Sequence, residues 1–235
     1  MPVEGRTGLQ HSLPEAGILT NDSDHSSYIV GEALPFIIPL AGAAVIAFVS
    51  GFYGVGLVLF AVTAFVIWFF RNPQRATPEN GRLVISPADG RVIRIEETTS
   101  DELPGRTFQK VSIFMNVFNV HVNRIPCSGE VRFIRYRAGK FLSANLDKAS
   151  ALNERNIVLL RTADGREVMT VQIAGLIARR IVCWLKEGMQ VSRGERFGLI
   201  RFGSRVELFL PIESTILVRT GDKVRAGETP IGELT

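Results

Sequence analysis

The sequence predicts a mainly β protein of the α+β class: a swirled β-sandwich or barrel preceded by an N-terminal hydrophobic helical hairpin. Three observations lead to this prediction. Residues 33–70 form a run of 38 residues without Asp, Glu, Lys or Arg. After Leu83, short β-branched runs are bounded by turn residues, which is typical of sandwiches and barrels. Near the C-terminus a glycine-bounded motif occurs twice, as in the swirled lipoyl and biotinyl carrier domains.

The chain begins with a polar segment, residues 1–32, that carries a net charge of −4 and predicts a flexible tail. The apolar run follows at 33–70. A membrane span needs roughly 20 apolar residues, so this run is short for two full spans and long for one. Mid-run glycines favour a tight hairpin of two short helices, about 33–50 and 53–70. One long tilted span is the alternative.

Charge around the apolar run indicates a location at the cell membrane. Trp68, Phe69 and Phe70 form an aromatic interfacial anchor, and Arg71 and Arg75 follow at once. Basic residues just past a span favour the cytoplasmic side. Residues 71–235 carry a net charge of +8, which suits anionic lipid headgroups. A generally basic soluble surface would explain the charge equally well.

The β-rich part of the chain extends from residue 71 to residue 235. A hairpin turn is expected at Asp164-Gly165, and a helix near 144–153. Cys127 and Cys183 imply no disulfide framework and are expected to be small packed residues. The predicted strands lie at 84–85, 92–95, 111–114, 131–134, 157–160 and 168–173.

The repeated motif reads G-x-x-V-x-x-G-E at 188–195 and again at 221–228. Its glycines predict tight turns with positive φ. By itself the repeat is structural and carries no chemistry.

Gly203-Ser204, 32 residues from the C-terminus, is the candidate for a self-cleavage site. A strained peptide bond here would let the Ser204 hydroxyl attack the Gly203 carbonyl, and glycine helps because it lacks a side chain. Removal of the Ser204 α-proton and β-elimination would then free the chain that ends at Gly203. Such a route needs an activated hydroxyl, a base and oxyanion donors. A plain turn serine is the simpler interpretation.

Two further residues are candidates for acid–base chemistry. His121 is the one histidine outside the polar tail, and its near-neutral titration makes it the best general acid or base available. Asp89, in Pro87-Ala88-Asp89-Gly90, would orient that histidine by the logic of a Ser-His-Asp triad. No metal ligand set, phosphate loop or dinucleotide fingerprint is evident. Only net charge would support binding to nucleic acid, so no nucleic-acid partner is expected.

From about Phe69 to Leu210 the chain resembles the phosphatidylserine decarboxylases of the short, proenzyme type. The motifs are weak one by one, and their order and spacing are highly specific. They are Phe69–Arg75, Ser86–Gly90, Asn119–Pro126, Asp147–Ser150, Asn153–Asn156, Phe202–Val206 and Leu208–Pro211.

The resemblance implies cleavage between Gly203 and Ser204. A β chain, 1–203, would stay bound as a heterodimer to an α chain, 204–235, and a higher oligomer is compatible with it. Ser204 would become a covalent pyruvoyl group, and Ser204, His121 and Asp89 would be the catalytic residues. Longer family members carry a second histidine where this chain has Arg124, so His121 would serve both maturation and decarboxylation, or another group would assist.

The implied reaction converts phosphatidylserine in the membrane to phosphatidylethanolamine and CO2. The pyruvoyl carbonyl would condense with the headgroup amine and act as the electron sink, and His121 would protonate the carbanion. Candidate ligands of the phosphate or carboxylate are Arg71, Arg75, Lys140, Lys148 and Arg155. One alternative is the same reaction on another serine phospholipid, such as an ether lipid. Another is a membrane-anchored β-barrel adaptor, which would stay intact and tolerate Ser204→Ala.

Overall fold

A computed structural model describes residues 27–140, 142–144, 152–175, 180–201 and 203–235. The histidines of the tail, the Asp147–Ser150 motif and most of the helix expected near 144–153 lie outside these ranges.

Two apolar helices form the predicted hairpin. A short 3-10 turn, Gly31–Ala33, leads into α1 (Leu34–Val49), and α2 (Tyr53–Phe69) follows after a tight turn. Gly51 adopts a φ of 79° in that turn, a conformation that glycine enters without steric cost. The two helices pack closely, since a Cβ on Gly56 would stand 2.9 Å from the Phe48 ring. Within the described chain, Gly31–Val49 is the one helical segment that is long and apolar enough to cross a membrane, and α2 is shorter.

Fourteen strands, all paired antiparallel, make up the described β-rich part in three sheets. The largest sheet is a curled half-barrel of eight strands. Its spatial order is β13 (Lys223–Val224), β2 (Gly90–Ser100), β3 (Leu103–Met115), β11 (Ser204–Pro211), β7 (Glu167–Ala174), β6 (Arg155–Arg161), β5 (Gly129–Arg137) and β9 (Gln190–Val191).

Two three-stranded sheets complete the fold. One has the order β4 (Val122–Arg124), β10 (Arg196–Ile200), β8 (Ile181–Cys183). The other has the order β1 (Leu83–Ile85), β14 (Pro230–Glu233), β12 (Thr215–Ile216). The mainly β class is therefore confirmed. Every predicted strand falls inside an observed one, and the expected hairpin at Asp164-Gly165 joins β6 to β7, with Gly165 at φ 86°.

The repeated motif forms the two opposite edges of the eight-stranded sheet. The first copy contains β9 and the second contains β13. All four of its turn glycines have positive φ: Gly188, Gly194, Gly221 and Gly227. Each copy thus supplies a short edge strand between two tight turns, and short edges limit unwanted pairing with other chains.

The foot of the hairpin, which comprises the start of α1 and the end of α2, packs on the sheet that contains β4 and β10. Phe69 and Phe70 are buried there against Val120, Val122 and Leu199. Burial of a phenylalanine side chain contributes about 2–3 kcal/mol. This apolar contact fixes the hairpin directly above His121, which precedes β4.

Candidate active site

Ser204 is the first residue of β11, an interior strand of the eight-stranded sheet. It pairs with Met115 of β3 on one side and with Ala174 of β7 on the other. The residue is fully buried, and its hydroxyl lies 3.3 Å from the Met115 sulfur. A thioether is a weak acceptor, so this hydroxyl is poorly solvated and held in place without a strong competing hydrogen bond.

Gly203 has a φ of +59°, in the left-handed region that glycine tolerates best. Its carbonyl oxygen packs against Gly175, which directly follows β7. A Cβ added to Gly175 would stand 2.0 Å from that oxygen and 3.0 Å from the carbonyl carbon. The carbonyl before Ser204 is therefore oriented by contact with the backbone of the neighbouring strand.

His121 is buried beneath the foot of the hairpin. Its ring centroid lies 4.3 Å from that of Phe69, and its Nδ1 lies 3.0 Å from the Asn119 carbonyl oxygen. That contact requires the proton on Nδ1, so Nε2 is the atom left with a lone pair. Nε2 is buried and has no hydrogen-bond partner among the described residues.

The surroundings of His121 favour the neutral imidazole. Burial lowers the pKa of His121 to about 4, against the opposing effect of the Asn119 carbonyl, and the charge of Arg71 lowers it further. The ring is therefore neutral at pH 7, which is the form that a general base needs.

Asp89 lies in the turn before β2, and its carboxylate is held from two sides. Oδ2 accepts a hydrogen bond from Arg75 at 2.9 Å, and Oδ1 accepts one from the Ala226 amide at 2.8 Å. No hydrogen bond joins Asp89, His121 and Ser204 to one another in the part of the chain that is described. Arg71 links the first two electrostatically: its charge contributes to the lowered pKa of His121, and burial lowers the pKa of Arg71 against the opposing charge of Asp89.

Arg124, the residue that the sequence resemblance singled out, makes structural contacts. Its guanidinium donates to the carbonyl oxygens of Gly194 at 2.8 Å and of Pro73 at 2.9 Å. Its aliphatic part packs on Gly227, where a Cβ would stand 2.6 Å from Arg124 Cδ. Arg124 therefore ties the segment after the hairpin to both copies of the glycine repeat.

A buried amide network beside Ser204 was not anticipated from the sequence. Gln172 Nε2 donates to Asn123 Oδ1 at 2.9 Å, and Asn156 Nδ2 donates to Gln172 Oε1 at 3.0 Å. Asn123 Nδ2 lies 3.9 Å from the same Met115 sulfur that contacts Ser204. Gln172 could have indicated this network from the sequence. It is a polar residue in an otherwise apolar buried strand, and such a residue needs a hydrogen-bond partner.

The remaining candidates have other roles. Cys127 and Cys183 are both free, and burial raises the pKa of the Cys127 thiol to about 12, so it is no nucleophile.

Of the proposed phosphate ligands, Arg75 pairs with Asp89 and Glu228. Arg155 lines a cavity on the outer face of the large sheet with Lys110 and Glu207. Lys148 lies outside the described residues. The described residues contain no cluster of three or more potential metal ligands.

Comparison with known proteins identifies the family of the chain. The family model for phosphatidylserine decarboxylase matches residues 62–232. A phosphatidylserine decarboxylase proenzyme from Syntrophus aciditrophicus is 57% identical over 209 residues, which cover 88% of this chain and 98% of the relative. Proenzymes of the same name from Aromatoleum aromaticum and Magnetococcus marinus are 49% and 47% identical, over 92% and 90% of this chain and 100% and 97% of their own lengths. The chain therefore belongs to the phosphatidylserine decarboxylase family.

Proposed function

We propose that this decarboxylase matures by cutting itself between Gly203 and Ser204 and then converts phosphatidylserine to phosphatidylethanolamine and CO2. The observation that supports the proposal is the geometry of the Gly203–Ser204 peptide bond. Ser204 is dry and fully buried, while the carbonyl before it belongs to a glycine at φ +59° and packs on Gly175.

Cleavage would begin when Ser204 Oγ adds to the Gly203 carbonyl carbon. Collapse of that adduct breaks the Gly203–Ser204 peptide bond and forms an ester, with the proton of the hydroxyl passing to the freed amine. A base then removes the α-proton of Ser204, and the Cβ–O bond breaks with release of Gly203 as a carboxylate. Tautomerisation of the dehydroalanine to an imine, addition of water and loss of ammonia leave a pyruvoyl group at residue 204.

His121 is the base that we assign to these proton transfers. It is neutral, its Nδ1–H is directed to Asn119, and its Nε2 is free of partners among the described residues. The strand that follows it, β4, lies on the Ser204 side, because Asn123 of that strand and Ser204 both approach the Met115 sulfur. Asp89 would act on this site through its charge and through the Arg75 contact.

The surroundings of residue 204 suit a small carbonyl group, since the site is dry and is flanked by Met115 and Ala174 on the paired strands. A pyruvoyl group there would supply a carbonyl that condenses with the headgroup amine and withdraws electrons as CO2 departs. His121 would return the proton to the headgroup carbon. The foot of the hairpin above His121 would exclude water from that step.

The apolar hairpin would hold this site at the lipid interface of the cell membrane. Many large apolar side chains of the hairpin are exposed, including Val49, Phe52 and Phe60, and an exposed apolar surface of this size needs lipid or protein to cover it. We propose that residues 33–70 are the membrane element and that residues 71–235, cut into chains 1–203 and 204–235, form the catalytic heterodimer. Arg71 and the basic β-rich part would lie on the cytoplasmic side.

Intact mass spectrometry of the detergent-solubilised protein tests the proposal. We expect two chains divided after Gly203, with the C-terminal chain lighter by one ammonia than a peptide 204–235 that begins with an unmodified Ser204. Ser204→Ala should remain one full-length chain without decarboxylase activity, because no hydroxyl can attack. A wild-type protein that decarboxylates phosphatidylserine as one uncut chain would contradict the proposal.

A further inference from the structure

A pair of arginines lies at the foot of the hairpin, apart from the residues assigned to the chemistry above. The Arg201 amide donates to the Arg180 carbonyl at 3.3 Å, so the two residues are adjacent across the sheet edge. The Arg201 guanidinium lies over the ring of Phe36 in α1, 5.2 Å from its centroid. This position is where the start of α1 meets the β-rich domain.

Arg201 is close to Ser204 in sequence and follows a strand that contacts His121. It follows β10, whose last residue, Ile200, donates from its amide to the His121 carbonyl at 3.3 Å. It also precedes Ser204 by three residues, so their Cα atoms are at most about 11 Å apart. Arg201 is therefore separated from residue 204 by a short stretch of chain, at the end of the strand that contacts His121.

The charge around Arg201 is incompletely balanced. Its Nε is buried, and no described residue accepts a hydrogen bond from it. Burial lowers the pKa of Arg201, and the charge of Arg180 lowers it further, against the opposing charge of Glu32. Glu32 keeps its negative charge: its Oε1 accepts a hydrogen bond from Trp184 Nε1 at 2.9 Å, and its Oε2 is buried without a described partner. One carboxylate thus faces two guanidinium groups, which leaves a net positive charge. An anion placed between the two guanidinium groups would relieve their repulsion.

Arg71 and Arg75 are less suited to this task because they are committed elsewhere. Arg71 donates to the carbonyl oxygens of Trp68 at 2.9 Å and Phe118 at 2.8 Å, and it stacks over the Trp68 ring. Arg75 is paired with carboxylates. Both therefore hold the fold together around the site.

We propose that Arg201, assisted by Arg180, binds the phosphate of the serine phospholipid headgroup and so places the headgroup amine at residue 204. This inference rests on the proposed function and adds the residues that recognise the substrate. A guanidinium matches a phosphate because its planar N–H groups bind two oxygens at once.

Steady-state decarboxylation by the full chain in neutral-detergent micelles tests the assignment. Arg201→Gln should cleave itself normally and keep its kcat, while its KM for phosphatidylserine rises about 10- to 100-fold. Arg201→Lys should recover part of the loss, since it keeps the charge without the planar fork. Arg132→Gln is the control, because Arg132 is an exposed arginine of β5 paired with Glu130, and its KM should be unchanged.

Two further measurements separate the possible outcomes. The first is the KM for water-soluble glycerophosphoserine, which Arg201→Gln should raise by the same factor. The same KM is also measured with phosphatidylserine in anionic vesicles. A rise in KM seen only with the vesicles would mean that Arg201 merely attracts the membrane surface, and it would overturn the assignment. Calorimetric binding of glycerophosphoserine to the uncut Ser204→Ala protein gives a readout without turnover. Equal binding with and without Arg201→Gln would also overturn the assignment of Arg201. If binding depends on Arg201 but the wild-type protein is inactive, that result would count against the proposed reaction alone.

Discussion

The carbonyl oxygen of Gly203 lies against the Cα of Gly175, so close that a Cβ on Gly175 would stand 2.0 Å from it. The contact occurs where β11 begins and β7 ends, next to the pair formed by Ser204 and Ala174. A neighbouring strand thus orients the carbonyl that we propose is attacked. Gly175 is a positioning residue in this arrangement and takes no part in proton transfer.

Gly175→Ala should slow self-cleavage about 5- to 150-fold, because an added methyl would displace the Gly203 carbonyl, and overpacking of this kind typically costs about 1–3 kcal/mol. The measurement is the fraction of full-length chain on a denaturing gel at fixed times after synthesis. Gly81→Ala is a matched control, since nothing lies within 4 Å of a Cβ at Gly81 and its φ is not positive. Cleavage of Gly175→Ala at the wild-type rate would show that the contact has no positioning role.

His121 should make the folded protein less stable in mild acid. Its pKa is lowered from 6.5 to about 4 in the folded state, so the unfolded chain takes up the proton first as the pH falls. The contribution of His121 to the free energy of unfolding is complete above about pH 6.5. It is lost as the pH falls toward 4, and the total loss is about 3 kcal/mol.

Unfolding of the uncut Ser204→Ala protein at pH 7 and pH 5 measures this effect. The loss of stability between the two pH values should be about 2 kcal/mol smaller when His121→Gln is added, because glutamine does not titrate. Equal losses in the two proteins would mean that His121 is not held neutral by burial.

Asp89 and Arg75 should prove energetically coupled. Asp89→Asn keeps an acceptor for the Ala226 amide but leaves the Arg75 charge, whose side chain is 10% exposed, without its nearest carboxylate. Breaking such a pair costs about 3 kcal/mol, and we expect self-cleavage to slow as well.

The double variant Arg75→Gln/Asp89→Asn separates stability from catalysis. Its loss in free energy of unfolding should be about 1–3 kcal/mol smaller than the sum of the losses of the two single variants. Recovery of stability together with cleavage would mean that Asp89 acts by holding the fold around the site. Recovery of stability without cleavage would mean that its charge is needed for the chemistry.

Much of the architecture could be predicted because it depends on local pattern. The long uncharged run is sufficient for two apolar helices, and alternating β-branched residues with turn residues are sufficient for strands such as β6 and β7. The four repeat glycines were expected at positive φ, since only glycine enters that region without steric cost. The order of motifs around Asp89, His121 and Ser204 also pointed to the family before any contact was known.

The tertiary structure decided which groups meet, because contacts across strands depend on register that no local pattern encodes. It placed Gly175 against Gly203, joined Asn123, Gln172 and Asn156 in a buried network, and set Arg201 beside Arg180 below the hairpin. It also paired Asp89 with Arg75 and gave Arg124 the carbonyls of Gly194 and Pro73. The candidate residues for the chemistry could therefore be named from the sequence, whereas their contacts were determined by the packing of distant strands.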